Sequence, residues 1–187
     1  MIKLNKITAI IIGAVVLALV AFGGYYNSFV TKNTAIDGQW AQVETQYQRR
    51  IDLIPNLVSS TQGFLTQEKT IFEDIARART QYGGAKTIDE KANAATGVES
   101  ALGRLLVIME NYPNLKSDAT VAKLMDELAG TENRISVERR RYNEQVLEYN
   151  TMVVRLPGNI IARFFGFSQH AYFQSSQGAD QVPKVEL

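Results

Sequence analysis

Between Ile7 and Tyr26 the chain runs "ITAIIIGAVVLALVAFGGYY", twenty residues without a charge. As a helix this stretch is about 30 Å long, the hydrocarbon thickness of a bilayer. Ten of its residues are large and apolar: Ile7, Ile10, Ile11, Ile12, Val15, Val16, Leu17, Leu19, Val20 and Phe22. Each contributes roughly −0.3 to −0.6 kcal/mol to insertion, so the total is roughly −3 to −6 kcal/mol with no charge opposing it. A transmembrane helix is expected, and these ten residues are the expected anchor. Phe22, Tyr25, Tyr26 and Phe29 cluster at its end, where aromatic rings favour the headgroup zone. The competing reading is a cleaved secretory signal, with Lys3 and Lys6 as its basic region and Ala21-Phe22-Gly23 as a small-x-small site; the apolar run is long for that. Lys3, Lys6 and the initiating amine outnumber Lys32, so the expected orientation puts the remaining chain on the outer side of the cell membrane, by a margin of one or two charges.

An apolar start of this length makes the rest of the composition informative. The chain has 187 residues and 45% of them are hydrophobic, yet beyond the anchor Gln, Asn, Glu and Arg are abundant. Net charge is only +1, so no global field draws nucleic acid, and none is expected as a partner. Absence of cysteine excludes disulfides, thiolate metal sites and a cysteine nucleophile. A single histidine, His170, leaves little scope for zinc or for Ser-His-Asp catalysis.

From Trp40 the apolar positions run Val43, Tyr47, Ile51, Ile54, Val58, Thr61, Leu65, Phe72, Ile75 and Tyr82, separated by three, four or seven residues. This is helical spacing, which predicts one helix of more than forty residues ending at Gly83-Gly84, where glycine can supply a left-handed cap. "TIDE" at Thr87–Glu90 is a capping box and predicts a second helix up to Pro113. "NYPNLKSD" is then a turn with Ser117 as the cap, and a third pattern runs from Val121 to Val153. A short apolar piece, "NIIARFFGF", and a polar tail close the chain.

No strand alternation interrupts these patterns, and the connections are short. The expected fold is all-α: a single N-terminal transmembrane helix followed by an antiparallel up-and-down bundle, either three long helices with a short C-terminal one or four helices. The organisation expected is an anchor at 1–29, a bundle at 30–175 and a flexible polar tail at 176–187. The second helix is much shorter than its neighbours, so one long helix is expected to break, at Gly130. Phe164, Phe165, Phe167, Tyr172 and Phe173 are read as packing.

Pro55, in "QRRIDLIPNL", removes a backbone hydrogen bond to Ile51 and costs about 3 kcal/mol unless packing compensates. Apolar register persists on both sides, so a kink is expected in place of a linker. Charged residues also fall at the seams, where burial without a partner costs several kcal/mol each. For Glu68 and Arg79 a solvated edge is expected. For Arg50, Glu132 and Arg139 a solvated edge and an interhelical network both stand open; with Asp52 and Asn133 they make up the candidate structural polar network.

Other chemical motifs fail on geometry. "GGAKT" lacks the first glycine of a phosphate-binding loop and no strand precedes it. Glu73-Asp74 and Asp126-Glu127 are adjacent, so each pair points about 100° apart on a helix and is read as solvated. No catalytic residue, metal ligand or cofactor site is therefore expected.

"QYQRRIDLIPNLV", "ALGRLLVIMENYPNLK", "ELAGTENRI", "YNEQVLEYN" and the closing "FFGF" with Tyr172-Phe173 resemble, in order, the LemA family of bacterial membrane-anchored helical proteins. The resemblance implies a single-pass anchor with an antiparallel helical bundle and no established enzymatic activity or cofactor. Its characteristic positions here are Arg50, Asp52, Leu53, Pro55, Asn56, Tyr112, Pro113, Leu115, Gly130, Thr131, Glu132, Asn133, Arg134, Arg139, Tyr142, Asn143, Tyr149 and Asn150, none with an assigned chemical role. "SQHAYF" departs from the family's usual stretch before Tyr-Phe and leaves the path of that segment open. The function expected is a non-enzymatic scaffold or interaction module at the bacterial cell envelope. Its partners would be the lipid bilayer, an unidentified membrane or envelope protein, and a second copy of itself. The alternative is a regulatory or chaperone-like module for envelope stress, with Pro55 as a hinge.

Overall fold

The computed structural model describes residues 6–65 and 68–173. It is all-α, as the periodicity predicts: α1 Lys6–Thr61, α2 Lys69–Gly84, α3 Ile88–Glu110, α4 Pro113–Lys116, α5 Ala119–Val154 and α6 Gly158–Phe165. The tail expected at 176–187 and the basic residue Lys3 lie outside the described residues.

Two compact units divide the chain. Among the described residues, the first comprises 6–39 and 141–172, the second 40–65, 68–140 and 173. In the first unit, the apolar start of α1 is entirely exposed and is long enough to cross a membrane. Beyond it Phe29 and Ile36 are buried, as are Val146, Tyr149, Ile161 and Ala162. Phe29 meets Tyr149 edge-on at 5.8 Å and stacks on Phe167 at 4.8 Å. No helix boundary separates the stretch expected as an anchor from the packed residues that follow it.

The second unit holds most of the remaining core. Val43, Tyr47, Ile54 and Leu57 line α1, Ile71, Ile75 and Tyr82 line α2, Val98 and Leu105 line α3, and Val121, Leu128 and Ile135 line α5. Burying each large side chain stabilises by about 1.5–3 kcal/mol, which outweighs the weak intrinsic helicity of such polar segments. Only residues 85–87 connect α2 to α3, and the two helices pack together. So short a link forces the pair to run antiparallel.

The long helical pattern breaks at Thr61 and resumes at Lys69, and α5 passes through Gly130 without interruption. The expected break at Gly130 is therefore wrong, and so is the single helix to Gly84. The break follows "SSTQGF", where Ser, Thr and Gly are poor helix formers. The Thr61 hydroxyl donates to Leu57 O at 2.8 Å, while Phe64 and Leu65 N–H both close on Thr61 O. Pro55 lies inside α1 between buried Ile54 and Leu57, with Val58 only half-buried.

Two caps also differ from expectation. Gly83 and Gly84 stay helical, and α2 is closed by extended Ala85, whose N–H reaches Gln81 O and Tyr82 O. The left-handed glycine is Gly166, φ 77°, at the end of α6. Ser117 does not start α5; Asp118 does, accepting from Thr120 and Val121 N–H at 2.9 and 3.0 Å. A charged acceptor satisfies two orphan N–H groups more strongly than a hydroxyl would. The Thr87–Glu90 capping box forms as its spacing predicts, and the N–H groups of Lys86 and Thr87 hold the Glu90 carboxyl below its usual range.

Candidate functional site

A polar cluster sits inside the second unit where α1, α3 and α5 meet. Tyr47 and Arg50, three residues apart, share a face of α1. Glu132 and Arg139, two helical turns apart, share a face of α5, and α3 contributes Glu99. Contacts converge on one atom, Glu99 Oε1. Tyr47 donates its hydroxyl hydrogen to it at 2.9 Å, Arg139 donates to both it and the Tyr47 hydroxyl, and Arg50 Nη1 stands 3.7 Å away. Arg50 Nη2 pairs in turn with Glu132. Two cations thus face two carboxylates, and the formal charge of the cluster is balanced.

Burial raises the stakes of this pairing. Arg50 is buried, Glu99 keeps only 19% of its side-chain surface, and Nε of both arginines is buried with no hydrogen-bond partner among the described residues. Loss of hydration pushes the Glu99 carboxyl up to about 7, the nearby Glu132 adds to the rise, and Arg50 opposes it. The same loss lowers Arg139 to about 10. The Arg139 guanidinium also lies 4.3 Å from the Phe173 ring centroid and 5.3 Å from that of Tyr47, favourable cation–π distances. Phe173 stacks on Trp40 at 6.1 Å.

Beside the cluster is a cavity of about 400 Å³, lined by Arg50 and Glu99 at its polar end and by apolar side chains including Leu57, Leu102, Leu106 and Met125. A cavity with an apolar wall and a charged end can hold an apolar side chain or short helix face that carries one polar group. Among the described residues, no three His, Asp or Glu side chains gather closely enough to hold a metal ion.

Of the five residues proposed from sequence as a polar network, the structure brings together Arg50, Glu132 and Arg139. Asp52 is exposed and accepts from Gln48 one turn back, at 2.8 Å; Asn133 is also exposed, on a different face of α5 from Glu132. Asp52 is two residues from Arg50 and Asn133 one from Glu132, so about 200° and 100° of helical rotation carry them away from the cluster. Sequence reasoning missed Glu99 and Tyr47. Glu99 follows Val98 in the α3 seam, and that adjacency was the available signal. Arg79 is exposed, as expected of a solvated edge. Asp74, read as solvated, pairs with Arg104 at 3.0 Å and Arg77 at 3.6 Å.

The first unit has its own polar clamp. Asn150 exchanges two hydrogen bonds with the His170 backbone, both 2.9 Å, and the His170 ring bonds Asn33 Oδ1 at 2.7 Å. This clamp sets the path of the "SQHAYF" segment, which the sequence left open. It also assigns His170 to packing against Tyr149, 4.9 Å away.

Residues 39–187 match the model of the LemA family, a stretch that begins after the apolar segment and takes in the whole charged cluster. The chain is also similar to magnetosome proteins. It is 29% identical over 198 residues to MamQ 1 and MamQ 2 of Paramagnetospirillum magneticum, and 30% identical over 195 residues to MamQ of Magnetospirillum gryphiswaldense. Each alignment covers 88% of this chain and 72% of the relative. The chain belongs to the LemA family.

Proposed function

We propose that this protein is a non-enzymatic, single-pass membrane protein whose helical body binds other proteins at the bacterial cell envelope. The observation that carries the membrane half is the exposed, uncharged start of α1, which passes without a break into packed residues Phe29 and Ile36. An apolar surface of that length is unstable in water and stable in lipid. The charge balance near this helix supports an outward-facing body. The binding half is supported by the cavity beside Arg50 and Glu99, whose apolar wall and charged end suit a partner's helix. Confinement to a membrane raises effective concentration, so contacts too weak for a soluble protein suffice. The relatives are named for a cell structure and not for a reaction, in keeping with this reading.

A photo-crosslinking residue placed at Leu106, on the cavity rim, tests the proposal in native membranes. A discrete adduct should form and should disappear when Met125→Trp fills the cavity. Absence of an adduct, or one indifferent to that substitution, would refute partner docking there. Protease access to the body in intact cells tests the orientation. A second reading, an envelope-stress module, is favoured by Glu99, which titrates near neutrality beside the same cavity. It would make partner binding follow external pH.

A further inference from the structure

The short helix α6 carries an apolar face that stays largely exposed among the described residues. Ile160 and Phe164, four residues apart on this helix, are 58% and 74% exposed, and Leu156, in the turn just before it, is 75% exposed. Ile161 and Ala162, on the other side, are buried in the first unit. Two apolar faces on one eight-residue helix are costly in water unless the outer one meets a second apolar phase.

Aromatic contacts show where that face lies along α1. Phe22, at the end of the uncharged stretch, meets Phe164 edge-on at 5.9 Å and Phe165 at 5.7 Å. Tyr26 meets Phe165 at 4.7 Å and Phe167 at 5.9 Å. The exposed face of α6 therefore sits level with the point where the apolar stretch ends. Its charged neighbours include Arg155 and Arg163, both exposed; Glu148, which lines a pocket together with Arg155 and Leu156, is paired with Lys32 at 2.7 Å. An exposed apolar face beside two exposed guanidinium groups matches a lipid surface, in which apolar side chains lie about 5–10 Å into the boundary between headgroups and acyl chains while guanidinium groups reach phosphate.

We propose that α6 is an interfacial membrane helix: Leu156, Ile160 and Phe164 enter the same bilayer leaflet in which the α1 span ends, and Arg155 and Arg163 contact its phosphates. This rests on reading the α1 stretch as a membrane span. The device braces the helical body against the membrane at a second point, which restricts its tilt.

Because the chain has no cysteine, a single introduced one can be spin-labelled uniquely. Full-length protein carrying Ile160→Cys, Val16→Cys or Glu144→Cys is reconstituted in phosphatidylcholine–phosphatidylglycerol vesicles, and relaxation by oxygen and by a water-soluble nickel chelate is compared. Position 160 should be shallow but shielded from nickel, position 16 deep, and position 144 fully aqueous. If 160 is as aqueous as 144 while 16 stays deep, the α6 proposal fails and the span survives. If 16 is aqueous as well, the span itself is wrong. Spin–spin broadening at 160 would mean that a second copy covers the face, which also overturns the proposal.

Discussion

Replacing Glu99 by glutamine should remove a pH dependence built into the core. In the folded chain the Glu99 carboxyl is raised from an ordinary 4.5 to about 7, chiefly because burial strips its hydration. A folded state that holds a proton more tightly than the unfolded state gains stability from it. That gain is complete below about pH 4.5, declines as pH rises, and is lost above about 7. At 1.36 kcal/mol per unit the rise corresponds to about 3 kcal/mol, and solvent reaching the 19% of the side chain that stays exposed reduces this toward about 2. Glu99→Gln keeps a neutral side chain of the same shape, so this contribution no longer varies with pH. Trp40 is the only tryptophan, is buried, and stacks on Phe173 within the same unit, so its fluorescence reports the unfolding of that unit. Urea titrations of full-length protein in detergent should place the variant level with wild type near pH 4.5 and about 2–3 kcal/mol more stable near pH 8. Glu90, held below its usual range, pulls stability the opposite way, lost as pH falls, but does so equally in both proteins. A wild type more stable than Glu99→Gln at pH 8 would refute the reasoning: pairing with Arg50 and Arg139 would then outweigh burial.

Gly130→Ala should stabilise by about 0.5–1 kcal/mol in the same titration, since a Cβ there meets nothing within 4 Å and alanine restricts the unfolded chain. Thr87→Ala removes the hydroxyl of the α3 capping box and should cost about 1 kcal/mol, read by Trp40 fluorescence with an unchanged urea slope. Gly158→Ala should be the damaging glycine change, because a Cβ there would lie 2.3 Å from the Met152 carbonyl oxygen. Relief requires a backbone shift of about 1–3 kcal/mol, visible as faster proteolysis around Arg155 and Arg163 in detergent.

The helical class, the exposed apolar start of α1, the capping box at Thr87 and the seam of α5 were all legible in the chain, because each rests on spacing within one helix or on residues next to each other. Local chemistry of that kind needs no partner to be read. The break after Thr61 was hidden by a seven-residue gap between Leu65 and Phe72, across which spacing alone cannot tell a helix from an interruption. Gly130 misled for the opposite reason: its weak propensity is outweighed by the packing of Leu128 and Ile135 on either side.

Sequence alone determined which faces are apolar and where a lipid-compatible stretch lies, since transfer from water depends on composition over a local window. Only the tertiary structure decided that Arg50, Glu99, Glu132 and Arg139 meet, that Asp52 and Asn133 do not, and that α6 lies level with the end of the apolar stretch. Those outcomes depend on the rotation and offset of helices far apart in the chain, which no local pattern encodes.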